Sequence, residues 1–142
     1  MIIQCVTNSF RAEMLQGIHD LDTDVLKLAL YTGSADLYPT TTVYTATGEV
    51  VASGYSAGGV VLTGVTISTG TASTIQPAVV YVSFNNPVFN AALTARGALI
   101  YNSSKADRSI AILDFGSDKT STTTFTVQMP PNTSTSALLR FP

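Results

Sequence analysis

Tryptophan is absent from this chain, and cysteine and histidine occur once each. The lone cysteine, Cys5, has no partner within the chain, so the fold must hold without a disulfide. It lies in the apolar run Ile2-Ile3-Gln4-Cys5-Val6, where a buried thiol behaves as a small hydrophobe. A single histidine, His19, removes the usual zinc sites and the Ser-His and Cys-His catalytic pairs, and leaves it the commoner role of holding a loop or capping a helix. Charge is scarce too, at 11% against roughly a quarter in ordinary soluble proteins. Of the seven Lys and Arg residues only Lys105 and Arg108 lie close together, with Asp107 between them. No basic stripe exists to neutralise successive phosphates, so nucleic acid is not an expected ligand. No apolar stretch approaches the roughly 18 residues of a membrane span, so no membrane partner is expected. The N-terminal apolar run is too short for a secretion signal and has no basic segment before it, so synthesis in a cytoplasm without export is expected.

What remains is apolar and hydroxylic. Hydrophobic residues make up 45%, and Ser and Thr together supply about a quarter of the chain. Disordered chains combine low hydrophobicity with high net charge, and this one has neither, its net charge being −2. A weakly charged, hydroxyl-rich surface opposes little repulsion to partners that come to cover it. The 142 residues, without an internal repeat or a shift in composition, read as one domain, 1–142.

Periodicity predicts an all-β fold. Asn8 and Ser9 are candidate N-caps, Phe10, Met14 and Ile18 recur at helical spacing, and Gly17 suits a helix end, so one short N-terminal helix is expected. After the Asp20-Leu21-Asp22-Thr23-Asp24 loop the period becomes two, and Leu26, Leu28 and Leu30 share one face of a half-buried strand. Further strands are expected near residues 49–53, 60–67, 78–84, 93–101, 109–115, 123–129 and 137–141, separated by Gly, Asn and Pro turn signals. Short strands at this spacing with no helices between them predict an antiparallel β sandwich or jelly-roll-like fold. The stretch from Tyr31 to Thr47 reads as a long ordered loop.

Few residues offer chemistry. Gly54-Tyr55-Ser56-Ala57-Gly58 matches the nucleophile-elbow pattern, but Val60-Val61-Leu62 after it reads as a strand and His19 precedes Ser56. A glycine-rich turn is the expectation. Asp20, Asp22 and Asp24 have the opening spacing of a calcium loop, yet Val25 and Tyr31 stand where Gly and Glu are needed. Capping of loop amides is the more ordinary use of such carboxylates, with a cation at an interface as the alternative. Glu13, Glu49 and the aspartates present no evident hydrolytic pair, and Asp114 with Arg96 is expected to form a buried, structural ion pair. The expectation is a protein that is not an enzyme, with no catalytic residue, metal or cofactor.

Lys27-Leu28-Ala29-Leu30-Tyr31, Tyr44-Thr45, Gly48-Glu49-Val50 and Gly54-Tyr55-Ser56-Ala57-Gly58-Gly59 form a series. It continues through Ala95-Arg96-Gly97-Ala98-Leu99-Ile100-Tyr101-Asn102 and Leu113-Asp114-Phe115-Gly116. Over nearly the whole chain this series resembles the capsid decoration, or cement, proteins of tailed bacteriophages. The resemblance implies a jelly-roll-like structural protein on the capsid exterior of a virion, made in the host cytoplasm. It implies the phage major capsid protein as partner and a homo-oligomer, a dimer first. The alternative is a receptor- or glycan-binding tail or fibre module. For contact residues the sequence offers Tyr31, Tyr38, Tyr44, Tyr55, Gly58 and Gly59, because rigid tyrosines give large contact area and glycines let backbones approach. In the competing reading Tyr31, Tyr44 and Tyr55 cover the end of the domain's own core.

Overall fold

The computed structural model describes residues 1–142. The chain begins with a two-residue strand, β1 (Cys5–Val6), and one helix, α1 (Asn8–Leu15). Asn8 and Ser9 are the first residues of this helix rather than its caps. Thr7 is the N-cap, and it makes no capping bond because its hydroxyl is turned to the Ser109 and Ile110 carbonyls. Gly17 follows the helix at φ +71°, the left-handed conformation that ends helices. Then come β2 (Leu26–Tyr31), β3 (Val60–Val61), β4 (Thr66–Thr69), β5 (Val80–Ser83) and β6 (Val88–Phe89). The last four are β7 (Thr94–Asn102), β8 (Arg108–Thr120), β9 (Phe125–Thr126) and β10 (Leu139–Phe141). They form a five-stranded sheet in the order β1-β8-β7-β2-β3, a three-stranded sheet β10-β5-β4 and a ribbon β6-β9. Every strand pair is antiparallel, and with one short helix the protein is the all-β sandwich its periodicity predicts.

Two apolar layers enclose the five-stranded sheet. On one face Leu26, Leu28, Leu30, Ala98, Ile100 and Ile110 pack against Val82 and Leu139 of the smaller sheet, Phe89 and Phe125 of the ribbon, and Phe10 of the helix. On the other face Ala29, Tyr31, Leu99, Tyr101 and Ile112 are covered by Ile2, Ala35 and Leu37. Here β2 departs from expectation, being buried on both faces rather than one. The cause is the long segment after Tyr31, which folds flat across the second face. Backbone bridges Ile2↔Leu37 and Val43↔Arg108, and the Ser109 N–H to Thr42 carbonyl bond, hold it there.

Other departures have local causes. Residues 49–53 form no strand: Glu49 makes one bridge to Tyr31, the Val50 N–H reaches the Leu30 carbonyl, and the chain then leaves the sheet. The run expected at 60–67 is cut at Gly64 (φ +64°), where the chain crosses from the five-stranded to the three-stranded sheet. β8 is longer than expected and irregular. Gly97 faces Asp114 but Ala95 faces Lys119, so residues 115–118 bulge out opposite Arg96.

Candidate functional site

The densest polar arrangement is a ring of tyrosines around one buried carboxylate. Tyr31 ends β2, and the chain returns through Gly48, whose φ of +79° and close approach to Ala35 leave no room for a side chain. This return sets Glu49, 7% exposed, opposite Tyr31. The Tyr44 hydroxyl donates to Glu49 Oε2 at 2.5 Å. The Tyr55 hydroxyl and the Gly58 N–H both donate to Oε1 at 2.7 Å. Tyr55 Oη also accepts the Leu30 N–H at 2.9 Å, and the Tyr101 hydroxyl donates to the Gly58 carbonyl at 2.7 Å. Tyr31 donates to the Thr45 carbonyl at 2.6 Å. Tyr44 stacks on Tyr101 and Tyr55 on Phe89, with centroids 4.8 and 5.6 Å apart. Glu49 belongs to no ion pair in the structure. Its charge is instead spread over three neutral donors, which tie the 44–49 segment and the 54–59 turn to the sheet.

This geometry reassigns most of the expected contact residues. Tyr31 is wholly buried and cannot touch a partner, because the segment it was expected to project from lies on top of it. Gly58 is buried beneath Tyr101, and Gly59 packs its α-carbon against the Leu28 carbonyl. Tyr44 and Tyr55 are half-buried with their hydroxyls turned inward. These residues cover the domain's own core. Tyr38 alone keeps an open face, at 36% exposure. Its hydroxyl donates to Asp36 Oδ1 at 3.0 Å, the same oxygen that accepts the Met1 ammonium at 2.7 Å. The Ile3 N–H to Leu37 carbonyl and Leu37 N–H to Met1 carbonyl bonds lay residues 1–3 alongside residues 36–38. Met1 and Ile3 are thereby exposed beside Tyr38, at 69% and 40%.

Burial, reinforced by the Glu49 charge, raises the phenol pKa of Tyr31, Tyr44 and Tyr55 far above the ordinary value, and burial with the nearby Asp107 and Glu49 charges pushes Tyr101 up to about 12. Below about pH 10 these phenols are neutral in both folded and unfolded chains, and their contribution is fully present. Above it the unfolded chain sheds protons first, so stability falls as pH rises toward the folded values. Each phenol costs up to ~1.4 kcal/mol per pH unit, so up to ~5.6 for the four together. A spectrophotometric titration is expected to show these phenolates appearing only with loss of the β-sheet signal, between about pH 11 and 12. Ionisation of these four phenols near pH 10 with the fold intact would refute it.

The second polar cluster uses the only histidine. His19 Nε2 lies 2.6 Å from Glu13 Oε2, and Arg108 donates to Glu13 Oε1 at 2.9 Å. Asn102 Oδ1 accepts the Ser104 N–H, so its amide nitrogen faces both Asp24 Oδ2 at 2.7 Å and His19 Nδ1 at 3.0 Å. Nδ1 is therefore an acceptor, and Nε2 carries the proton toward Glu13. Phe10 packs on the ring at 4.9 Å. His19 thus joins the helix to the turn between β7 and β8, as a loop-holding histidine does. Asp20 Oδ1 accepts the Asp22 N–H and Asp24 Oδ2 accepts the Asp20 N–H, the amide-capping use expected of them. No three His, Cys, Asp or Glu side chains gather into a metal-holding group. Ser56 is exposed in a turn closed by the Gly59 N–H to Ser56 carbonyl bond, and β3 rather than a helix follows. Asp114 and Arg96 do pair, at 3.1 Å, but partly exposed at the sheet surface.

Glu49 and Glu13 were not legible as hubs. The one available signal for Glu49 was a lone acid between Tyr44 and Tyr55 in a stretch otherwise free of charge. No family model, curated protein or solved structure matches the chain.

Proposed function

We propose that the protein is a structural component of a tailed-phage virion that decorates the head shell, bridges major capsid subunits and acts by binding rather than turnover. The observation that carries this reading is the residue series from Lys27 to Gly116 that resembles capsid cement proteins. The polar interior supports it in a general way, since His19, Glu13 and Glu49 spend their bonding capacity on holding loops to the sheet. A protein that binds the expanded shell better than its precursor stabilises the expanded state by mass action, and weak contacts repeated over a lattice add by avidity. The contact face is the strip of Met1, Ile3 and Tyr38, whose apolar surface the domain leaves uncovered. In solution the protein is a homo-oligomer, a dimer first.

Copy number per virion tests the location. Numbers comparable with the capsid protein support decoration. A few dozen copies per particle or fewer would overturn it in favour of a receptor- or glycan-binding tail or fibre module. Ile3→Ser with Tyr38→Ala is expected to lower occupancy on expanded heads severalfold while the free protein melts within a few degrees of wild type, as surface changes do. Undiminished occupancy would exclude this strip as the contact face.

A further inference from the structure

A groove of about 740 Å³ runs between the distal half of β8, the β9 region and the stretch leading into β10. Both strands beside it have an open edge. β1 covers β8 only at Ala111 and Ile112. At Asp114 the N–H is taken by the Gln4 side-chain oxygen at 3.2 Å, residues 115–118 form the bulge opposite Arg96, and no strand pairs with the outer edge at Lys119 and Thr120 beyond it. β10 pairs with β5 alone. The groove includes the tilted pair Phe115 and Phe125, with centroids 6.0 Å apart. It also holds two exposed cations, Lys119 and Arg140, neither with a carboxylate partner. Arg140 makes only a bond from Nη1 to the Thr135 carbonyl, at 2.6 Å. The one acid in the groove, Asp114, is engaged by Arg96 and by the Gly116 N–H.

Open strand edges recruit extended chains through backbone bonds, and side chains near the edge select which chain. A second copy related by a two-fold would present the same face, whose cations Lys119 and Arg140 have no carboxylate partner, so like charges oppose self-association there. We propose that the groove docks an extended, acidic segment of a partner polypeptide, which adds as a strand along the open edge of β10 and sets its carboxylates against Lys119 and Arg140. This inference stands on the groove alone and does not depend on the capsid reading.

The test is a displayed library of random ten-residue peptides selected on the intact protein. Enriched peptides are expected to carry Asp or Glu at alternate positions. They should bind Lys119→Glu/Arg140→Glu about tenfold or more weakly, since reversing two contact charges turns attraction into repulsion. Both side chains are exposed, so the variant is expected to melt like wild type; Lys119→Gln/Arg140→Gln serves the same comparison should it not. N-methylation of alternate backbone amides in an enriched peptide should abolish binding, because strand addition needs those N–H groups. Enrichment without acidic excess, equal binding to the charge variants, tolerance of N-methylation or no enrichment at all would each overturn the proposal. So would concentration-dependent dimerisation lost in the charge variant, which would make a second copy the occupant.

Discussion

Gly59→Ala is expected to be the most damaging small substitution in the chain. Gly59 sits at φ +74°, and a β-carbon there would lie 1.8 Å from the Leu28 carbonyl oxygen and 2.7 Å from Ala29 Cα. Those atoms cannot yield, because Leu28 is the middle of a strand paired on both sides, with Ile100 and with Val60. Relief must come from pulling the 54–59 turn and β3 off the sheet. That movement would strain the Gly58 bonds to Glu49 and Tyr101 and the Leu62 N–H to Leu26 carbonyl bond. The left-handed conformation alone costs alanine about 1–2 kcal/mol. The collision should raise the total above about 4 kcal/mol, the range of exceptional substitutions. For a domain of this size that lowers Tm by about 15 °C. Gly116→Ala is the control, since its φ is +78° but a β-carbon there meets nothing within 4 Å. It should lower Tm by only about 5 °C. Thermal melts of the two variants isolate the steric part, and equal melting would show that the turn moves away without cost.

Glu49→Ala should come next. It removes the acceptor of the Tyr44 and Tyr55 hydroxyls and of the Gly58 N–H at once. A buried donor left without a partner costs about 1–3 kcal/mol, and water reaching half-buried Tyr44 offsets part of the sum, so about 4 kcal/mol is expected. Glu49→Gln is the informative comparison. Its oxygen can keep Tyr55 and Gly58, and the Tyr44 hydroxyl can rotate to accept from the new amide, so the loss should be about 2 kcal/mol or less. Denaturant unfolding would rank the three proteins. If the glutamine variant is as unstable as the alanine variant, the negative charge rather than the acceptor geometry holds the ring together. If neither is destabilised, the ring is not a structural device.

The hydroxyl ring also explains why tyrosines can mislead when read along the chain. Tyr31, Tyr44 and Tyr55 are each next to glycine or hydroxyl residues that resemble contact loops, and Tyr101 lies far from them in sequence. What unites them is a carboxylate reached only after the chain has turned back at Gly48. No local signal marks a side chain as facing a partner 25 residues away, as the Tyr55 hydroxyl faces the Leu30 N–H. Tyr38 differs from the others only in that nothing folds over it.

Class and punctuation were determined by the sequence alone. Period-two runs such as Val25–Tyr31 and the Gly, Asn and Pro turns between them admit an antiparallel β fold, and Phe10, Met14 and Gly17 admit one short helix. These are local properties, set by which backbone conformations each residue tolerates and which face it leaves apolar. Tertiary structure alone decided what covers each face. The segment after Tyr31 became the lid of a second core, Gly64 became the crossing between sheets, and residues 88–89 and 125–126 became a ribbon too short to show a period. Tertiary structure also left the outer edge of β10 open beside two unpaired cations. Pairing and burial are properties of residues distant in sequence, so alternation can say that a strand has an apolar side without saying what meets it.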